Sequence, residues 1–239
     1  MIEHVWASRR GARGWILAAS FLLLLISQAA WPAAEASPQP VEIRDYQGEK
    51  LGSVNDFREN SIKGVQHVDP ETYRLVVDGL VGEPVSLALL ELQSMPHIAK
   101  LVTLYCVEGW SVEALWEGIP VGDLLTLAQP NAEANTVIFH AADGYTTSLS
   151  LEEVVEKGLV LADRINGITL PERNGFPFEL VAEDKWGYKW IKWVTRIELS
   201  NDPTYRGFWE TRGYNNKGDL SGSMFGRTED TTPSPPGSQ

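Results

Sequence analysis

The chain holds one cysteine, Cys106, and its setting is the first sign of chemistry. Cys106 lies near the end of the apolar run Leu101–Val107 (LVTLYCV) and just before Glu108-Gly109-Trp110. A predicted strand therefore delivers it into a glycine-containing loop, where reactive groups are often presented. A buried free cysteine, acting as a small apolar side chain, accounts for the same pattern. A single thiol excludes an internal disulfide, cysteine-built zinc ribbons and iron–sulfur clusters, CxxC redox pairs and CxxCH haem attachment. A thiolate suits a soft or high-valent metal, but one protein ligand cannot hold a metal alone. Any further sulfur ligands would have to arrive on a cofactor.

Other common chemistries find little support. His4, His67, His97 and His140 are not paired at metal-ligand spacing, which argues against a histidine-built zinc or copper site. The GxSxG elbow of serine hydrolases is absent, as are the GxGxxG and GxxxxGK[ST] phosphate loops. Asp184–Trp193 (DKWGYKWIKW) packs three Trp, three Lys, a Tyr and a Gly into ten residues. It reads either as an amphipathic edge strand, aromatic side inward, or as a loop whose backbone and lysines, with Arg196, grip an anion. Arg206–Tyr214 (RGFWETRGY) mixes planar aromatics with guanidinium groups, suited to core packing or to a substrate mouth.

The elements that position these residues are short. Tyr73–Leu80 is a predicted strand ending at Asp-Gly, and Ser86 is expected to cap a short helix running to Met95. Further strands are predicted over Leu101–Val107, Thr136–Ala141, Tyr145–Leu149, Phe176–Ala182 and Trp190–Leu199. Val121–Ala128 has helical spacing. Ser150 and Glu153 form a capping box for a helix closed by Gly158. Asn166-Gly167 signals a hairpin between Val160–Ile165 and Ile168–Leu170. Many short strands with scattered helices predict a mixed, β-rich α+β fold in a single domain.

The 239 residues carry 20 basic and 32 acidic side chains, a net charge of −12 that argues against nucleic acid as a partner. Residues 1–36 place Arg9, Arg10 and Arg13 before an apolar run centred on FLLLLI, then Ala34-Glu35-Ala36. That order predicts a secretory signal cleaved near Ser37, or an N-terminal membrane anchor, and hence an exported, periplasmic location. Residues 43–226 are the expected folded domain, and the Pro-, Ser- and Thr-rich stretch over 227–239 a disordered tail.

Six segments in order resemble the molybdopterin-binding domain of the sulfite oxidase family. They are VTLYCVEGW (102–110), LWEGIP (115–120), DGYTTSL (143–149), NGFP (174–177), DKWGYKWIKWVTRIEL (184–199) and GFWETRGY (207–214). The resemblance spans roughly Val54 to Asp219 and is nearest to short, exported, sulfite-oxidase-like oxidoreductases. These are related to the catalytic subunit of the periplasmic methionine-sulfoxide reductase.

The resemblance implies a sulfite-oxidase-type molybdopterin-binding fold and a molybdenum held by a pterin dithiolene and by Cys106. Asn55, Arg58 and Glu59 match an early loop touching the cofactor. Asn174 matches a pterin-contacting Asn, and Trp190, Ile191 and Lys192 match a loop that holds the cofactor. Two positions depart from the family pattern: Ala141 stands in place of a Thr, and Glu179 in place of an Arg. Glu179 reverses the local charge, so either Lys189 or Lys192 takes over the anion or Glu179 points away. Glu108 is a candidate proton relay or a solvated loop acid.

The implied activity is two-electron or oxygen-atom transfer on a small oxyanion or sulfoxide-type substrate. The chain is too short for a second, immunoglobulin-like domain and shows no haem domain, which implies a monomer. Electrons would then pass through a separate partner, such as a membrane cytochrome or a small soluble carrier. The competing reading is a non-catalytic exported binding module that kept the fold.

Overall fold

The computed structural model describes residues 40–226, so the predicted leader over 1–36 and tail over 227–239 lie outside the described residues. Short strands β1 (Asp45–Tyr46) and β2 (Glu49–Lys50) come first. A hairpin of β3 (Arg74–Gly79) and β4 (Val85–Ala88) leads into helix α1 (Leu89–Gln93). β5 (Ile98–Tyr105) and β6 (Ser111–Pro120) form a long hairpin whose connection contains Cys106. Then follow α2 (Val121–Ala128), β7 (Thr136–Ala141), β8 (Thr146–Ser150), α3 (Leu151–Glu156), β9 (Val160–Ile165), β10 (Ile168–Thr169), β11 (Glu179–Val181) and β12 (Val194–Ser200).

The strands assemble into two larger sheets. One has the order β10-β9-β6-β5, with β11 also paired to β9; the other runs β4-β3-β12-β7-β8. The second sheet is mixed, because β12 lies parallel to β3 and antiparallel to β7. Helix α2 buries Val121, Leu124, Leu125 and Ala128, an i, i+3, i+4, i+7 stripe, and packs against both β3 and β6. It thereby closes a core that includes Trp116, Phe139 and Phe178. The architecture is the β-rich α+β fold the sequence predicts.

Two local devices matter for the site. The β6–β9 pairing shifts register at Glu117/Gly118, and a Cβ on Gly118 would fall 2.1 Å from the Leu161 carbonyl, so no larger residue fits this bulge. Asn166, with φ of 49°, turns the β9–β10 hairpin together with Gly167. Its buried amide also accepts from the Leu115 N–H at 2.9 Å and donates to Glu42 Oε1 at 2.9 Å and the Gly52 carbonyl at 2.8 Å. Glu42 in turn accepts from the Val54 N–H at 2.7 Å. The hairpin thus anchors the segment leading into the loop 54–60.

Several predicted elements differ in extent. The expected helix from Ser86 begins instead at Leu89, because Val85–Ala88 pairs with β3 and its ladder outweighs the serine cap. Glu91 caps this shorter helix by accepting from the Ala88 N–H at 2.7 Å. The ten-residue β6 has no counterpart in the predicted strands, since Glu113, Glu117, Gly118 and Pro120 mask its pattern. The strand expected from Trp190 starts only at Val194, where Trp193, with φ of 54°, ends a left-handed kink. Likewise only Glu179–Val181 of the predicted 176–182 strand forms a ladder.

Candidate functional site

Cys106 leaves β5 to line a cleft of about 180 Å³ that opens to solvent. Its N–H donates to the Trp110 carbonyl at 2.9 Å, and its own carbonyl accepts from the Gly109 N–H at 3.1 Å. Gly109 takes φ of 83°, a turn glycine provides without strain. These bonds fix the cysteine backbone as the chain reverses into β6. The side chain is 5% exposed, and Asn60 Nδ2 approaches its sulfur at 3.5 Å. Burial pushes the Cys106 thiol above its ordinary pKa.

The opposite wall is the DKWGYKWIKW segment, which is a loop with a 3₁₀ turn at Gly187–Lys189 and not an edge strand. A Cβ on Gly187 would lie 3.2 Å from the Tyr105 carbonyl and 3.4 Å from Cys106 Cα, so glycine permits this close approach to the cysteine. The three lysines part ways. Lys185, 2% exposed, bonds Glu153 at 2.7 Å and Asp219 at 2.5 Å. Lys189 is fully buried against Glu210 at 2.6 Å, with Thr147 Oγ donating to the same carboxylate oxygen at 2.7 Å. Only Lys192 of the three lines the cleft, so the anticipated lysine cluster does not form, and Lys189 is committed elsewhere.

At this end Lys192 Nζ lies 3.3 Å from Glu59 Oε1 and from the Arg173 carbonyl, and 4.6 Å over the Trp193 ring. Gly175, with φ of 109°, sits beneath it; a Cβ there would meet Lys192 Cβ at 3.0 Å and Glu179 Cβ at 3.2 Å. Asn174 is 3% exposed, and its Nδ2 reaches the Val54 carbonyl at 3.4 Å. Its buried Oδ1 has no partner among the described residues. Glu179, 4% exposed, also lines the cleft, and burial pushes its carboxyl up to about 8 despite nearby Lys192.

Of the sequence-predicted residues, Cys106, Glu108, Arg58, Asn174, Trp190 and Lys192 share this cleft. Glu59 reaches it through Lys192. Asn55 is exposed on the neighbouring loop. Ala141 closes the β7–β8 turn, and Ile191 is buried with its carbonyl accepting from the Leu180 N–H at 2.9 Å; neither lines the cleft. Glu108 is exposed at the rim and accepts from Trp110 Nε1 at 3.1 Å.

Sequence reasoning did not single out Asn60, Asp143 or Arg173. The only signal for them is adjacency to residues or segments already named. One side of the cleft is aromatic: Tyr214 meets Tyr188 edge-on and Trp209 at a tilt, with ring centroids 5.0 and 5.4 Å apart.

A cleft with one buried thiol and an unpartnered buried amide oxygen, set on this fold, fits a cofactor-binding domain. The family described as "Oxidoreductase molybdopterin binding domain" matches residues 62–209, more than half the chain, and the chain belongs to this sulfite-oxidase-type family.

A protein of Azospira oryzae named as the protein-methionine-sulfoxide reductase subunit YedZ1 is 36% identical over 151 residues, 63% of this chain and 57% of that one. The oxidoreductase YuiH of Bacillus subtilis is 33% identical over 152 residues, covering 63% and 76% respectively. The methionine-sulfoxide reductase catalytic subunit MsrP of Gluconobacter oxydans is 36% identical over 152 residues, 56% of this chain and 49% of that protein. The match therefore spans only about half the length of two of these relatives. Among solved structures, the sulfane dehydrogenase SoxCD of Paracoccus pantotrophus shares the fold, with a TM-score of 0.57 and 22% identity over 63% of this chain and 42% of that one.

Proposed function

We propose that this domain is catalytic, with Cys106 as the molybdenum ligand and oxygen-atom or equivalent two-electron transfer as its reaction. The observation that carries this is the chain's one thiol, buried in the lining of a cleft in a molybdopterin-binding domain. The cleft suits the cofactor: Asn174 Oδ1 awaits a donor, and Gly187 lets the tryptophan-rich loop pack close against the Cys106 backbone.

When bound, the molybdenum centre supplies the two-electron chemistry. The protein supplies placement. Cys106 gives up its proton on ligation, and the Asn60 amide beside the sulfur favours the anionic thiolate. Arg58, Asn174 and Lys192 in the cleft lining would hold the pterin, with the backbone of Trp190 and the buried Ile191 behind them as the supporting loop. Glu108, tethered to the Trp110 indole at the rim, passes protons between the site and solvent.

The aromatic side of the cleft and the relatives named as methionine-sulfoxide reductases support a sulfoxide-type substrate over a small oxyanion. A neutral S=O group with apolar flanks suits such rings. Among the described residues no helix is long and apolar enough to cross a membrane. The reading places the domain outside the cytoplasm, taking electrons from a separate partner such as a membrane cytochrome.

The test is Cys106→Ala in a host with ample molybdate and working cofactor synthesis. Wild-type protein is expected to carry molybdenum and pterin. The variant should stay folded, at a cost well below the ~2–5 kcal/mol of large core truncations. It should keep pterin, with its molybdenum reduced or altered, and lose turnover. Wild-type protein free of both metal and pterin, or an active variant, would overturn the reading.

A further inference from the structure

Glu179 is a buried acid whose carboxyl has no hydrogen-bond partner among the described residues; its one favourable neighbour is the charge of Lys192. A buried carboxyl left in that condition is costly, and a fold retains it where a ligand completes it. It stands at the start of β11 and lines the cleft at the end occupied by Gly175 and Lys192. Lys192 is no salt-bridge partner for it, because Nζ bonds Glu59 and the Arg173 carbonyl. Asn174, next to Gly175, directs its amide donor to the Val54 carbonyl and leaves Oδ1 unmatched.

Glu179 and the unmatched Asn174 Oδ1 thus both belong to the lining of the cleft, with Lys192 beside Glu179 already engaged by Glu59 and the Arg173 carbonyl. A flat heterocycle bearing adjacent N–H groups would satisfy both. The pterin ring carries such an edge, in its 2-amino group and neighbouring ring N–H, and a carboxylate can take two parallel N–H bonds.

We propose that Glu179 is a cofactor-binding residue that, with Asn174 Oδ1, receives the N–H edge of the pterin ring and not its anionic end. The inference rests on the molybdopterin reading above. In the cofactor-free protein the acid is held neutral by burial, and the incoming donors favour its ionised form. Charge-assisted hydrogen bonds are typically worth enough to change affinity by about ten- to a hundred-fold.

The experiment compares wild type with Glu179→Gln and Glu179→Arg. It measures pterin content, the rate of pterin loss from dialysed holoprotein, and the melting temperature of cofactor-free protein. The Gln variant keeps one acceptor but loses the charge and the second, so pterin should leave about ten-fold faster or more. Its cofactor-free form should melt higher than wild type, because an unmatched buried acid has been removed. The Arg variant should hold less pterin than wild type.

Pterin retention by Glu179→Gln equal to wild type would overturn the proposal. So would higher pterin content in Glu179→Arg, which would assign this end to the anion, or a lower melting temperature of cofactor-free Glu179→Gln, which would make the acid structural. Should the Arg variant not fold, the Gln variant decides alone. Wild-type protein without pterin would instead sink the molybdopterin reading itself.

Discussion

Replacing Lys189 with Met should destabilise the whole domain by breaking a fully buried ion pair. Lys189 and Glu210 are each fully buried, with Nζ 2.6 Å from Oε1. Lys189 also donates to the Ser148 carbonyl at 3.0 Å, while Glu210 Oε2 has no partner among the described residues. Burial lowers the Lys189 pKa, and the neighbouring Glu210 charge works against that shift. Removing the ammonium leaves a buried carboxylate supported only by the Thr147 hydroxyl on its Oε1 side. Breaking a buried pair from one side typically costs ~3–5 kcal/mol. For a domain of this size that corresponds to roughly 6–20 °C in Tm.

Urea denaturation should show the midpoint falling at constant slope. Because Lys189 shares its turn with Tyr188, and Glu210 sits between Trp209 and Tyr214, near-ultraviolet dichroism should change with it. The double variant Lys189→Met/Glu210→Met, which removes both charges, should recover most of the loss. A single variant costing under about 1 kcal/mol, or a double variant no better than the single, would refute the reasoning.

Two further outcomes follow from the same geometry. Lys192→Glu would set a third carboxylate beside Glu59 and Glu179, so it should purify with little pterin while Lys192→Arg retains it; full pterin occupancy in the Glu variant would remove Lys192 from the cofactor site. The Glu179 carboxyl, raised from 4.5 to about 8, makes the folded cofactor-free protein hold a proton that the unfolded chain releases. This group's contribution to stability is therefore present in full below about pH 4.5 and is lost as pH rises to about 8, on the order of 5 kcal/mol across the window. Unfolding curves of wild type and Glu179→Gln at several pH values should diverge accordingly. Parallel curves would contradict the burial argument.

Sequence alone carried the local facts. Cys106 at a strand end before a glycine turn, the Asn166-Gly167 hairpin and the Ser150 cap, whose oxygen accepts from the Glu153 N–H at 3.2 Å, all depend on residues near in sequence. The ordered segments were enough to identify the family. Tertiary structure decided what long-range pairing controls. It made a ten-residue strand of Ser111–Pro120 despite two glutamates and a glycine, because β5 and β9 pair with it on both sides. It dispersed three lysines spaced within eight residues: two went to acids on α3 and on segments beyond β12, and one faced the cleft. Spacing along the chain cannot encode that choice, since each lysine's acidic partner lies 21 or more residues away in sequence. The same holds for Glu179. Its acidic type is written in the sequence, but only the folded neighbourhood of Gly175 and Lys192 shows that the carboxyl is buried and its pKa raised.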